Sequence, residues 1–368
     1  MNKIIIKSTD QSTLSDIIKG IFAQYDVRKK VYNKTVLVKP NLIGAFPPER
    51  GATTDPKVIM AIVEELERYQ PKKIVVGDNS GSIHFDPNKI GRITGILDAS
   101  KGHYRNIADE VEKIPVDSRF IQELHISKIV LDADYIINVP KFKTHALTTV
   151  TGAIKNMFGI IPGGKKAKLH TVTKSVVEFA ELLVDIYRIR IPDLNIMDAI
   201  VGMEGIGPTN GKIRKINKIL SSENGVCLDA VVAFMMGVNP ETLELLKMAK
   251  NKSLGEINIS KLQIDGELKR IPGFLAPNNG LLQKVRKKIV PHIFHLATVK
   301  PIVNHKKCKI CKKCVEVCPV SAMTIKDKFP EADRIKCISC FCCDEHCPHG
   351  AIRLPSWQED IFYRMIGK

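Results

Sequence analysis

"KTVLVKPNLIGAFPPERGATTDPKVIMAIVEELERYQPKKIVVGDNSG", residues 34–81, runs from one β-branched stretch to another through a helical one. The stretches at 34–41 and 72–81 read as strands, each ended by Pro or by Gly-Asp. Between them, Asp55-Pro56 suits an N-cap and first helical position, and the apolar residues that follow recur at helical spacing. The alternation continues outward. "DYIINVPK" (134–141), "LNIMDAI" (194–200) and "RKINKILSS" (214–222) read as strands, and 175–190 and 226–237 as helices. Strand–helix alternation predicts an α/β fold: a largely parallel sheet with helices, over residues 1–269.

Beyond it, residues 270–300 are basic and richer in Pro and Gly. They read as a connector with a short amphipathic helix, whose Phe274, Leu281, Ile289 and Phe294 pack between domains. Residues 301–368 read as a small α+β ferredoxin-like domain. Nine of the ten cysteines of the 368-residue chain lie between Cys308 and Cys347, so they form a local ligand cluster and not a disulfide framework. Such thiols point to a reducing compartment, the cytoplasm. No apolar run reaches the length of a membrane span, and the apolar start "IIIK" is too short for a signal peptide.

The cysteines fall in two matching halves, Cys308-x2-Cys311-x2-Cys314-x3-Cys318-Pro and Cys337-x2-Cys340-x2-Cys343-x3-Cys347-Pro. This is the bacterial two-cluster arrangement, in which the fourth Cys of each run ligates the other cluster. Cys308, Cys311, Cys314 and Cys347 are expected to hold one [4Fe–4S] cluster, and Cys337, Cys340, Cys343 and Cys318 a second. A cubane needs thiolates at four corners; a short loop wraps three, and the fourth comes from across the repeat. Zinc, the alternative for paired CxxC, rarely uses eight cysteines in this order. Cys342 has no place in the pattern and reads as a bystander. Cys227, opening a predicted helix, reads as a buried small residue, with a catalytic thiol as the alternative.

The formal charge is +17, which two clusters would lower to about +13. From Arg270 to Val315 there are eleven Lys or Arg and no Asp or Glu. A solvated face or a docking surface for a redox partner protein fits this run. Nucleic acid fits less well, because interleaved aromatics and binding motifs are missing.

In the α/β region, polar residues gather where strands end: Lys39-Pro40-Asn41, Gly77-Asp78-Asn79, Pro140 to His145, and "DAIVGMEGIGPTNG". Open α/β sheets bind ligands outside the carboxyl ends of their strands. Lys39, Asn41, Lys143, Lys155, Asn156 and Lys165, with Lys166 beside it, are expected to bind an anionic small molecule, since lysines and amides suit phosphate or carboxylate. Lys141, His145 and Asp78 are the candidate catalytic residues; His84, His170, Asp198 and Glu204 are further candidates for acid–base or metal work. Neither the P-loop spacing nor a GxGxxG after a strand is present.

The segments 36–66, "IVVGDNSG", "ADYIINVPKFKTHALTTVTGAIKNMFGIIPG" and "MDAIVGMEGIGPTNG", ahead of a two-cluster module, resemble the DUF362 family of iron–sulfur proteins. The resemblance covers roughly 30–265 and 301–355, and implies a basic site and electron transfer without specifying a reaction. A more distant similarity is to the nickel-pincer racemase type of fold, through the lysines and histidines around "PGG". The expectation is a redox enzyme or enzyme subunit passing electrons to an anionic substrate or cofactor. A non-catalytic carrier or assembly factor is the alternative, and a non-redox enzyme with structural clusters a third.

Overall fold

Successive residues of one buried strand feed two different cores. Val36 and Val38 pack into one apolar cluster, while Leu37 between them packs into another. A sheet covered on both faces gives such continuous apolar runs. The computed structural model describes residues 3–80, 86–173, 175–277, 300–333 and 335–353. Its strands are β1 (Lys3–Ser8), β2 (Thr35–Pro40), β3 (Lys73–Val76), β4 (Val111–Pro115), β5 (Glu123–Ser127), β6 (Tyr135–Val139), β7 (Lys141–His145), β8 (Thr149–Val150), β9 (Leu194–Glu204), β10 (Lys212–Ser222) and β11 (Gln263–Asp265).

The main sheet runs β11-β1-β10-β9-β6-β2-β3, with β7 beside β9 and β8 beside β7. β3, β2, β6, β9 and β7 are mutually parallel; β10 runs against β9 and β1, and β8 against β7. The fold is α/β with a largely parallel sheet, followed by a small cysteine-rich region of short strands and helical turns.

Helices form where the sequence supplies both a cap and an apolar stripe. In Pro56–Glu67, Asp55 accepts the backbone N–H of Lys57 at 2.8 Å, and Val58, Ile59, Ile62, Val63 and Leu66 are buried. Each such side chain contributes roughly 1.5–3 kcal/mol. Val176–Ile189 starts at Ser175, which accepts from Glu178 N at 3.1 Å, and buries Phe179, Leu182, Leu183 and Ile186 on the opposite face of the sheet.

Two strands depart from expectation. β1 comes from the "IIIK" of the N-terminus, which central pairing with β10 and β11 buries. Lys141–His145 is a strand and not a strand-end loop: all five residues are buried, with Phe142 in the core. A run of Lys-Phe-Lys-Thr-His has no apolar alternation to mark it, because its polar side chains find partners inside the protein. In the connector, Phe274 meets Phe142 edge-on at 5.8 Å. Leu281, Ile289, Phe294 and the expected short helix lie outside the described residues.

Candidate functional site

The two cysteine runs fold alike. Ile310 and Lys312 in the first half, and Ser339 and Phe341 at the matching positions of the second, have positive φ. These left-handed turns curl each CxxCxxC loop around its own interior. Short helical turns, Lys313–Glu316 and Cys342–Glu345, follow. The thiols are free and line two pockets. One is bordered by Cys308, Cys311, Cys314 and Cys347, the other by Cys318, Cys337, Cys340, Cys342 and Cys343. Backbone N–H groups of Ile310, Ala322 and Ala351 point at the sulfurs of Cys308, Cys318 and Cys347 at 3.2–3.4 Å. Among the described residues no three His, Cys, Asp or Glu groups converge as closely as a single metal ion needs. A pocket ringed by four thiols and N–H donors instead fits the larger cubane.

The cysteine module sits against the carboxyl ends of the parallel strands. Arg50 donates from Nη1 to Pro348 O (3.0 Å), from Nε to Thr209 O (3.0 Å) and from Nη2 to Asn210 Oδ1 (2.8 Å), and Asn210 in turn bonds Asp344. A pocket remains at this junction. The α/β region supplies Asn41, Asp78, Asn79, Lys143, His145, Lys155, Asn156, Lys166 and His170 to its lining; the module supplies Val317, Cys342, Glu345 and His346.

Each side chain is held by what precedes it. Lys39, at the end of β2, is fully buried against Asp78 at 2.7 Å and donates to Asn156 O at 2.6 Å. A Cβ at Gly159 would strike both Asp78 and Lys39, so only glycine admits that pair. Lys143 donates to Asn41 Oδ1 (2.8 Å) and Ala52 O (2.6 Å). Asn41 continues into a chain of amides through Asn156, Asn138 and Asn195, with steps of 2.7–2.9 Å. This network anchors the pocket floor to β6 and β9. Lys166 donates to Asn79 O. Among the described residues, the side-chain amide of Asn79, buried and lining the pocket, has neither its nitrogen nor its oxygen paired.

Burial dominates the electrostatics. It brings Lys143 down to about 7, helped by Lys155, and brings Lys166 to about 7 against the pull of Asp78. His145 and His170 fall to about 4 for the same reason. The Nδ1 of His145 accepts from Leu147 N (3.0 Å) and Thr148 N (3.3 Å), which places its proton on Nε2. That nitrogen is 3.0 Å from Glu345 Oε1. Burial raises the Glu345 carboxyl, but Lys155 and His145 together outweigh it and hold the group well below the carboxylate range. Burial thus leaves the two imidazoles neutral and the two lysines poised near neutrality around one carboxylate, a site whose lysines hold their protons more firmly once an anion enters.

The structure brings Asn41, Asp78, Lys143, His145, Lys155 and Asn156 together around this pocket, with Lys39 behind Asp78. Lys141 stands apart: it pairs with Asp198 at 2.6 Å in the core, and Asp198 also accepts Asp55 N. Lys165 is exposed, while its neighbour Lys166 turns inward. Glu204 holds Leu275 N, and His84 lies outside the described residues. Cys342, read as a bystander, borders both the Cys318–Cys343 pocket and the lysine pocket. Glu345, His346, Asn138 and Asn195 went unread. An Asn interrupting "YIINV" and "LNIM" was the available signal for the last two.

The 4Fe-4S binding domain profile matches residues 301–324, so the chain carries an iron–sulfur motif for at least one [4Fe–4S] cluster, a group suited to electron transfer. An uncharacterized ferredoxin of Methanocaldococcus jannaschii is 45% identical over 47 residues, 12% of this chain and 31% of that protein. A thylakoid-associated protein of Synechocystis sp. is 29% identical over 285 residues, 72% of this chain and 84% of its own. Among solved structures, the lactate racemase apoprotein from Thermoanaerobacterium thermosaccharolyticum superposes with a TM-score of 0.42 at 12% identity, over 65% of this chain and 58% of that one. The chain thus spans less than two thirds of the ferredoxin and of the racemase. The profile of the domain of unknown function DUF362 matches residues 36–234, more than half of the chain, and the chain belongs to that family.

Proposed function

We propose that this chain is a cytoplasmic iron–sulfur redox enzyme, or the electron-donating subunit of one, acting on an anionic small molecule in the lysine pocket. The observation that carries the reading is the position of Cys342. It borders the lysine pocket on one side and the Cys318–Cys337–Cys340–Cys343 pocket on the other. Two [4Fe–4S] clusters, one in each cysteine pocket, would supply single electrons. The matching left-handed turns of both halves support the pair.

The chain's own residues supply the rest. Lys143 and Lys166 meet the negative groups of the ligand, and the Asn79 amide, unpaired among the described residues, offers it one donor and one acceptor. Lys155, which forms no ion pair among the described residues, adds a third cation. His145, with its proton fixed on Nε2, and Asp78 are the groups placed to handle a proton. Lys141 drops out of the reacting set, since its charge is spent on Asp198.

The test is anaerobic. The cluster-loaded protein is photoreduced, small-molecule fractions are added, and reoxidation is followed by visible absorbance. Reoxidation of the wild type but not of Lys166→Met identifies a fraction that uses the pocket. Equal reoxidation of both proteins, or reoxidation by protein fractions alone, would leave a carrier with a docking domain as the better description.

A further inference from the structure

The two cysteine pockets face different surroundings. The pocket of Cys318, Cys337, Cys340 and Cys343 shares Cys342 with the lysine pocket. Among the described residues, the pocket of Cys308, Cys311, Cys314 and Cys347 shares no lining residue with it. The latter has its own outlet. Cys311 is exposed, and Lys309, Lys312 and His349 beside it are exposed and line the same pocket. Lys306 and Lys307 extend the exposed basic surface next to Cys308. Among the described residues, Lys306, Lys307, Lys309 and Lys312 form no ion pair; exposed lysines elsewhere divide, Lys29, Lys101 and Lys113 pairing and Lys57, Lys72 and Lys89 not, so what marks these four is their grouping around an exposed cysteine. Glu316 is the lone acidic residue between 305 and 320.

We propose that this face, centred on Cys311 and bounded by Lys306, Lys307, Lys309 and Lys312, docks a small acidic electron-carrier protein. Four lysines outnumber the charge of about −2 that a cluster brings, so the face keeps a positive excess, and an acidic surface that covers it is attracted to it. A polynucleotide would also seek the lysines, but it has no use for an exposed cluster ligand at their centre. The two ends of the module then have different tasks. The carrier is oxidised by one electron at the Cys311 face, the chain is reduced by one, and the lysine pocket lies at the far end. The inference rests on the two-cluster reading above and adds a partner and a direction to it.

The probe is a purified flavodoxin, a small acidic carrier, titrated in its oxidised form onto the cluster-loaded chain by calorimetry at low and at high salt. Wild type should bind, and raising NaCl from 20 to 200 mM (chosen conditions) should weaken binding about tenfold or more. Lys309→Glu/Lys312→Glu should lose at least about tenfold in affinity, and Lys309→Arg/Lys312→Arg should keep the wild-type value. Reduction by photoexcited deazaflavin, a neutral small reductant, should be the same in all three. Wild-type affinity in the charge-reversed variant overturns the docking face. So does binding of duplex DNA more tightly than flavodoxin, with the same loss in the variant. Iron content of the same samples separates the two readings: about four irons per chain with the charge effect intact overturns the second cluster and leaves the docking face standing.

Discussion

His145 Nε2 lies 3.0 Å from Glu345 Oε1, and this contact joins β7 of the sheet to the turn between Cys343 and Cys347. Both residues are buried. Two backbone N–H groups on Nδ1 leave the imidazole no other tautomer, so Nε2 carries the proton beside the carboxylate, without a well-aligned hydrogen bond to it. Removing one member of such a pair leaves the other buried without its partner, at a cost of roughly 3 kcal/mol. His145→Ala should lower the melting temperature of the cluster-loaded protein by several degrees and open the 342–350 segment to protease. Iron content should not change. An unaltered melting temperature would mean that the module is held by its other contacts, those of Arg50, Thr209 and Asn210 among them.

Lys141 and Lys166 make opposite demands on the protein. Lys141→Met strands Asp198 in the core, where it also holds Asp55 N, and should destabilise the chain by about 3 kcal/mol. Lys166→Met replaces a desolvated cation whose hydrogen bond is to a backbone carbonyl, and should change stability by less than about 1 kcal/mol. In ligand-induced thermal shifts with small carboxylates and phosphates, the Lys166 variant alone should lose the response at unchanged intrinsic stability. A stable, unresponsive Lys141→Met would reverse this assignment.

Asn79 gives a sharper version of the same test. A buried amide with both ends unpaired is a cost the folded state carries, and an apolar isostere relieves it. Asn79→Leu should therefore raise the melting temperature, by the equivalent of about 1 kcal/mol, while weakening anion binding. A fall in stability would show that the amide has a structural partner.

The architecture was largely legible because the parallel strands are continuous apolar runs with capped helices between them. β2, β3, β6, β9 and β10 fall within a few residues of their expected positions. β7 escaped because hydrophobic patterning cannot mark a strand whose Lys143 and His145 face a polar pocket. The pocket's α/β side was half visible, since Lys39, Asp78 and Asn41 stand at strand ends where open sheets bind ligands. Its other side was not. Nothing local to "CCDEHC" tells Glu345 and Cys342 that they will meet residues some 200 positions earlier in the chain. Lys165 and Lys166 are indistinguishable as sequence; the helix Gly163–Leu169 decides which one turns inward.

Asp229 provides a pH test away from the cysteine pockets. It is buried and accepts from Ala153 N (2.5 Å) and Ile154 N (3.0 Å), next to Gly152 at φ +58°, where a Cβ would collide with the carboxylate. Burial raises its pKa to about 7, against the lowering effect of those two N–H groups. Since the folded state holds the proton more tightly than the unfolded chain, its contribution is full below about pH 4 and is lost as pH rises to about 7. Asp229→Asn lacks this dependence. Between pH 5 and pH 8 the wild type should lose roughly 2 kcal/mol relative to the variant, read as a narrowing gap in melting temperature. Parallel pH profiles would show that Asp229 is charged throughout.

Cys318 closes the first CxxCxxCxxxC run in sequence, yet in space it borders the pocket of Cys337, Cys340 and Cys343. Cys347 closes the second run and borders the pocket of Cys308, Cys311 and Cys314. The exchange makes opposite predictions from the order in sequence. On the proposed two-cluster reading, Cys318→Ser should lower iron from about eight to about four per chain. The cluster that survives should be the one ringed by exposed Cys311, so alkylation of Cys311 stays blocked. Cys347→Ser should do the reverse: Cys311 becomes open to alkylation, and the remaining iron sits beside the lysine pocket. If Cys318→Ser instead exposes Cys311, each run holds its own cluster. Cys342 would still stand between the lysine pocket and the cluster of Cys337, Cys340 and Cys343, so the exchange of fourth ligands, and not the place of the lysine pocket, is what this experiment decides.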